Sequence, residues 1–153
     1  MDSRVVVNSG YRMTPAHALR GVAGQFGIDA LYGFGSRAVE ACSFVEGRGA
    51  FDATHPSDLD LAALPAIGRR WDAADRVALA DALEHVFAAR RVDLVVLPEA
   101  PALVALAAVS GELLYVRDRH REAEYQLYVL RRAGDLAPFE RERREHLLRT
   151  PVS

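Results

Sequence analysis

Lysine is absent from this chain, and all nineteen of its basic residues are arginine. Without a primary amine there is no P-loop lysine and no Schiff-base lysine, which excludes Walker-type NTPases, kinases of the usual pattern and pyridoxal enzymes. The bias toward arginine and alanine fits a GC-rich coding sequence. Cysteine is nearly absent too: Cys42 stands alone, so there is no internal disulfide and no multi-cysteine zinc or iron–sulfur site. No apolar run approaches the ~18 to 20 residues of a membrane span. The opening MDSRVVVNSG lacks the apolar run and small-residue cleavage pattern of a signal peptide. Nor is there an excess of positive charge. Nineteen basic against twenty-one acidic residues give a net charge of -2, which argues against gripping nucleic acid through bulk charge. What remains is 153 residues, 50% hydrophobic and 26% charged: one domain with enough apolar side chain for a core, expected to be soluble, cytoplasmic and free of membrane contact.

The chain shows no internal repeat, low-complexity tract or linker. Thr14-Pro15 reads as an N-cap followed by proline at the first helical position, opening a helix that Gly27 can end. Residues 28–34 form a short buried strand stopped by Gly35-Ser36, with a short helix starting at Ser36 and loop over 41–56. Residues 58–62 alternate polar and apolar, the pattern of a half-buried strand. An amphipathic helix over 72–89 follows, with Leu79, Ala82, Leu83 and Val86 at helical spacing. Strand 92–97, an apolar helix over 101–109 and an edge strand over 113–116 come next. The rest, 119–149, is helical in pattern with a break expected at 134–138. Val5-Val6-Val7 suits a strand or a tail. The order α-β-α-β-α-β-α-β-α describes an α/β domain, helices packed on a small sheet.

The chemistry concentrates in Gly35-Ser36, Asp58-Leu59-Asp60 and Asp93. Residues two apart on a strand face the same way, so Asp58 and Asp60 are expected side by side. Two carboxylates ~7 Å apart repel, and a divalent cation relieves the repulsion most simply. Asp93 opens a strand that fits beside theirs. Three carboxylates at one end of a sheet suit magnesium, and two ions there leave net positive charge to receive a nucleoside triphosphate. The Gly35-Ser36 turn at a helix start presents backbone N–H groups and a hydroxyl to phosphate oxygens, and Arg37 beside it adds a charged fork. Taken singly, a Gly-Ser turn or an Asp-x-Asp is most often plain turn or solvated strand. The ordered combination is far less common.

Leu31-Tyr32-Gly33-Phe34-Gly35-Ser36-Arg37-Ala38, Ser57-Asp58-Leu59-Asp60-Leu61-Ala62 and Val92-Asp93-Leu94-Val95 resemble the minimal nucleotidyltransferases of the DNA-polymerase-beta-like superfamily. The segment Leu113-Leu114-Tyr115-Val116-Arg117-Asp118 looks like the one that follows the third carboxylate in the MNT antitoxins, the partners of HEPN toxins. The resemblance covers roughly residues 15–130 and leaves 131–153 as a C-terminal helical extension of the same single domain. It implies a nucleotidyltransferase fold: a small mixed sheet flanked by helices, with C-terminal helices. It also implies that Gly35, Ser36 and Arg37 hold the triphosphate of ATP and that Asp58, Asp60 and Asp93 bind magnesium. Asp93 would help deprotonate the acceptor. The implied reaction moves AMP from ATP to a hydroxyl, a tyrosine of the HEPN ribonuclease in the antitoxin case, within a hetero-oligomer that binds no nucleic acid directly. Two rival readings stay open: an antitoxin acting by binding alone, and a small-molecule nucleotidyltransferase of the aminoglycoside type.

The sequence departs from that family pattern twice. Val39 and Glu40 stand where Arg-Gly is usual, which removes a potential phosphate-facing cation. Residues 37–57 separate the two motifs where about ten are usual; the excess around 43–55 suits a lid, a partner contact or, by preference, a tolerated surface insertion, since long loops cost little. His17, His55, His85, His120 and His146 have no zinc-ligand spacing, and His55 is expected as an exposed loop residue rather than a nucleotide contact. Cys42 has no neighbouring base, and Trp71 suits packing. The Ala-x-x-Phe-Gly cadence in 17–27 also occurs in helix-turn-helix domains, but the next segment reads as a strand. The alternating Glu and Arg of 139–149 suit a solvated helix with i,i+4 pairs, or a face that docks on a toxin.

Overall fold

A computed structural model describes residues 13–149; Val5-Val6-Val7 lies outside the described residues. Helix α1, Pro15–Phe26, begins as expected. The Thr14 side chain accepts from the His17 N–H, and Gly27 closes the helix at φ 72°, a left-handed conformation that glycine adopts without a Cβ penalty. Strand β1, Ile28–Phe34, leads into a 3-10 turn, Gly35–Arg37, and directly into α2, Ala38–Val45. Then follow β2, Leu59–Pro65, α3, Ala73–Phe87, β3, Val92–Val96, α4, Ala102–Val109, β4, Glu112–Val116, and α5, Arg119–Arg149. A reciprocal capping box between Asp72 and Asp75 starts α3, satisfying two otherwise orphaned backbone donors.

The four strands lie in the order β3-β2-β1-β4. β1 pairs antiparallel with β2 and β4, while β2 pairs parallel with β3. The sheet is therefore mixed, and β4 is an edge, as the sequence suggested. Side chains alternate across it with period two. Leu31, Leu59, Leu61 and Ala63 join the core formed with α1 and α3. Tyr32, Ala62 and Leu64 join the second core, with α4 and Val129 of α5. Trp71 is packing, buried with its indole N–H donating to the Phe26 carbonyl at 2.9 Å.

Two expectations fail. The first is the loop over 41–56: α2 runs on to Val45, because Ala41, Phe44 and Val45 have an apolar core to pack against. Phe51 then returns into that core, with its ring 6.0 Å from Phe44 and 5.7 Å from Phe87. The insertion is thus docked by an aromatic anchor and is not merely a surface excursion. The second is the break at 134–138: α5 is one helix with Pro138 inside it. Proline removes one N–H and crowds the carbonyl four residues back, which here belongs to exposed Gly134, where water can take over the bond. Leu, Ala, Glu and Arg on both sides favour helix.

The start of α5 is held to the sheet by charge. Asp29 of β1 is 1% exposed; its Oδ1 lies 2.5 Å from Arg117 Nε, and its Oδ2 pairs with Arg121 Nη1. Arg121 also donates to the Pro65 carbonyl at 3.0 Å, and the Tyr32 hydroxyl donates to Glu122. No described helix is long and apolar enough to cross a membrane.

Candidate active site

The parallel pairing of β2 with β3 sets Asp60 opposite Asp93. Neighbouring strands run about 4.8 Å apart, so two carboxylates meet at the edge where both strands begin. The antiparallel pairing of β1 with β2 sets Phe34 opposite Asp60, so the turn that follows β1 lies over the same carboxylate. Gly35 sits there at φ 71°, and a Cβ on it would lie 2.6 Å from Asp60 Oδ2. Only glycine fits this backbone on both counts, its left-handed conformation and the closeness of the carboxylate. Ser36, next in the chain, is exposed at the start of the helical segment.

Burial first, then the negative charges of Asp93 and Asp58, push the Asp60 carboxyl above its ordinary value. Among the described residues no hydrogen bond or ion pair offsets this repulsion at Asp60, and a carboxylate so placed gains most from a cation. Among the described residues no three carboxylate, histidine or cysteine side chains already stand at metal-ligating separations. The donor set nonetheless fits magnesium in kind: hard oxygen ligands of like charge, with Gly35 leaving the space above Asp60 clear.

Asp58 departs from expectation. It precedes the first strand residue, Leu59, whose N–H donates to the Arg91 carbonyl at 3.0 Å. The Asp58 side chain faces Arg91, with Oδ2 3.7 Å from Nε. Its charge still acts on Asp60, but it does not lie beside Asp60 on a strand.

Arg37 corrects the sequence reading more firmly. The expected phosphate fork is 3% exposed and its donors are already engaged. Nε and Nη2 donate to the two Glu40 carboxylate oxygens at 2.9 and 2.7 Å. Nη2 and Nη1 also donate to the carbonyls of Asp52 and Ser57 at 2.6 and 3.3 Å, and the guanidinium lies 3.9 Å over the Phe51 ring. A buried guanidinium must have its N–H groups satisfied, and the insertion supplies the acceptors. Arg37 is a latch on that insertion. Glu40, which read as a missing cation, is its counter-ion: the Arg37 hydrogen bond, foremost, holds the Glu40 carboxyl below its ordinary value. The signal in the sequence was an Arg and a Glu three apart at a helix start. His55 is partly exposed, its Nδ1 accepting from the Ser57 N–H at 3.1 Å.

The architecture is a mixed four-stranded sheet flanked by helices. No family model matches the chain, and no curated protein sequence does. Solved structures do. A chain of the toxin–antitoxin complex MntA-HepT superposes with a TM-score of 0.62 at 17% identity, covering 88% of this chain and 97% of that one. A chain of the tri-AMPylated Shewanella oneidensis HEPN toxin in complex with MNT antitoxin gives 0.62 at 18%, covering 88% and 96%. A toxin–antitoxin structure with AMP-PNP gives 0.63 at 18%, covering 87% and 98%. What this likeness carries to the present chain is the fold.

Proposed function

We propose that this chain is a magnesium-dependent nucleotidyltransferase of the antitoxin type, moving AMP from ATP to a tyrosine hydroxyl of a HEPN toxin in the cytoplasm and so silencing it. The observation that carries the reading is the Asp60–Asp93 pair, set in register beneath the left-handed Gly35. The solved structures of this fold that contain a HEPN toxin, AMP groups or AMP-PNP support the choice of substrate and partner.

In this reading the Gly35-Ser36 turn receives the phosphates: its backbone N–H groups and the Ser36 hydroxyl donate to their oxygens. Asp60 and Asp93, with Asp58 if it leaves Arg91, would hold magnesium. When bound, that ion supplies the positive charge which neutralises carboxylates and phosphates together. Asp93, exposed on the edge strand, takes the proton of the incoming hydroxyl. The hydroxyl oxygen bonds to the α-phosphorus as the bond to the β-phosphate oxygen breaks, and pyrophosphate leaves in line.

The test is to co-express the chain with the product of its neighbouring reading frame and weigh that partner intact. A gain of about 329 Da per AMP is expected, absent with Asp60→Asn. An unmodified partner that is still neutralised would favour the rival reading of an antitoxin that binds without chemistry, for which the turn of Asp58 toward Arg91 speaks.

A further inference from the structure

The insertion builds a cleft in which the nucleotide chemistry calls on no residue but Asp58. His55, Pro56 and Ser57 form one side of a cleft of about 310 Å³; Arg90 and Arg91, just before β3, form the other, and Asp58 lines it too. The cleft is rich in donors. Among the described residues Arg90 has no hydrogen-bond or ion-pair partner, and Arg91 reaches only Asp58, at 3.7 Å. His55 accepts through Nδ1, which places the hydrogen of the neutral ring on Nε2, a further donor. Among the described residues Asp58 is the one acid lining the cleft, and Arg91 faces it, so Arg90 and the His55 N–H remain uncommitted. The wall is also preset. Arg37 holds the Asp52 and Ser57 carbonyls, and Phe51 sits in the core, so little ordering remains to be done on binding.

The cleft lies at the starts of β2 and β3, whereas Gly35-Ser36 follows β1, and the strands run β3-β2-β1. Phosphates on the Gly35-Ser36 turn would therefore flank Asp60 on one side and the cleft on the other. We infer that the cleft is an oxyanion subsite on the acceptor side, receiving an acidic side chain that flanks the acceptor hydroxyl. Its acceptor role rests on the nucleotidyltransferase reading; its affinity for an oxyanion does not.

The experiment therefore has two arms. In the first, inorganic phosphate is titrated into the Asp60→Asn protein, and the His55 and Arg90 side-chain NMR signals are followed with and without a non-hydrolysable ATP analogue. Saturable shifts that persist beside the analogue are expected. Arg90→Gln should weaken phosphate binding about tenfold, the effect of one charge-assisted hydrogen bond. Arg48→Gln, at the far end of the insertion, should leave it unchanged. No shift, or displacement by the analogue, would overturn the subsite, the second by assigning the cleft to the nucleotide's own phosphates. In the second arm, tyrosyl peptides flanked by aspartate or by alanine are offered to the active protein with ATP. A lower KM for the acidic peptide is expected, and Arg90→Gln should erase the difference without changing kcat. Equal KM values would overturn the acceptor role. Transfer to neither peptide, with phosphate still binding, would count against both the adenylylation reading and the acceptor role while leaving the oxyanion subsite standing.

Discussion

Asp29 and Asp60 sit on neighbouring strands of one sheet and meet opposite surroundings. Asp29, 1% exposed, has a guanidinium at each carboxylate oxygen and ties α5 to the sheet. Asp60 is only partly buried, yet its charged neighbours are Asp93 and Asp58, and its carboxyl is pushed above the ordinary value. A carboxylate in a structural role is neutralised by the chain itself. One left among like charges carries a cost in the isolated protein, and a cation removes it. That contrast, more than the presence of aspartates, marks the strand-start edge as the candidate site.

The sharpest way to break the comparison is Asp60→Asn. It should abolish pyrophosphate release while making the metal-free protein more stable at neutral pH. Because the folded pKa is raised, the folded state holds its proton longer than the unfolded chain. Stability of the metal-free wild type therefore falls as pH rises from the ordinary carboxylate value through the raised one. The variant lacks this fall, and paired thermal melts across that window would show it. Undiminished turnover, or a lower melting point, would undo the assignment of Asp60. Asp29→Ala should do the reverse: a loss of about 3 kcal/mol in denaturant unfolding, toward the low end for a broken buried pair because Arg117 can regain water. Folded Asp29→Ala protein should keep its kcat.

Arg37→Leu ranks next, costing about 2 to 3 kcal/mol, since it leaves the partly buried Glu40 without its counter-ion and with only the Asp52 N–H, at 2.7 Å, still donating to it. Its pH signature is opposite to that of Asp60. The Glu40 carboxyl is held low by Arg37, so the wild type has this stabilisation above the ordinary carboxylate value and loses it as pH falls through the depressed one. In the variant that part of the acid dependence should vanish, and a wild-type acid limb would refute the latch. Smallest is Ser36→Ala, about 1 to 2 kcal/mol of triphosphate affinity for one hydrogen bond to a charged group, since the backbone donors remain. Unchanged ATP affinity, measured by calorimetry, would remove the Ser36 hydroxyl from the phosphate site.

Local signals explain most of what the sequence disclosed. Thr14-Pro15 and Gly27 bounded α1, the alternation around Asp60 marked β2, and the Gly-Ser and Asp-x-Asp motifs pointed to the strand-start edge before any pairing was known. The expectations that failed depended on distant partners. The course of 41–56 turned on Phe51 finding Phe44 and Phe87, residues that no local pattern brings together. The break expected at Gly134 to Pro138 does not occur, because solvent exposure makes one lost backbone bond tolerable there. Arg37 stands where the motif implies a phosphate ligand, but a motif fixes where a residue lies in the chain and not which way its side chain turns.

By itself, then, the sequence determined the order of elements, the cap that opens α1 at Thr14-Pro15 and the glycine turns that end α1 and β1. These are set by backbone conformation and by neighbours within a few positions. Only the tertiary structure decided which charges are answered and which are not. It paired Asp29 with Arg117 and Arg121 across some ninety positions of chain, turned Asp58 toward Arg91, and set Asp60 against Asp93 through the β2–β3 register. Coulomb energy depends on distance in space, and a carboxylate's role is fixed by which charges the fold brings near it.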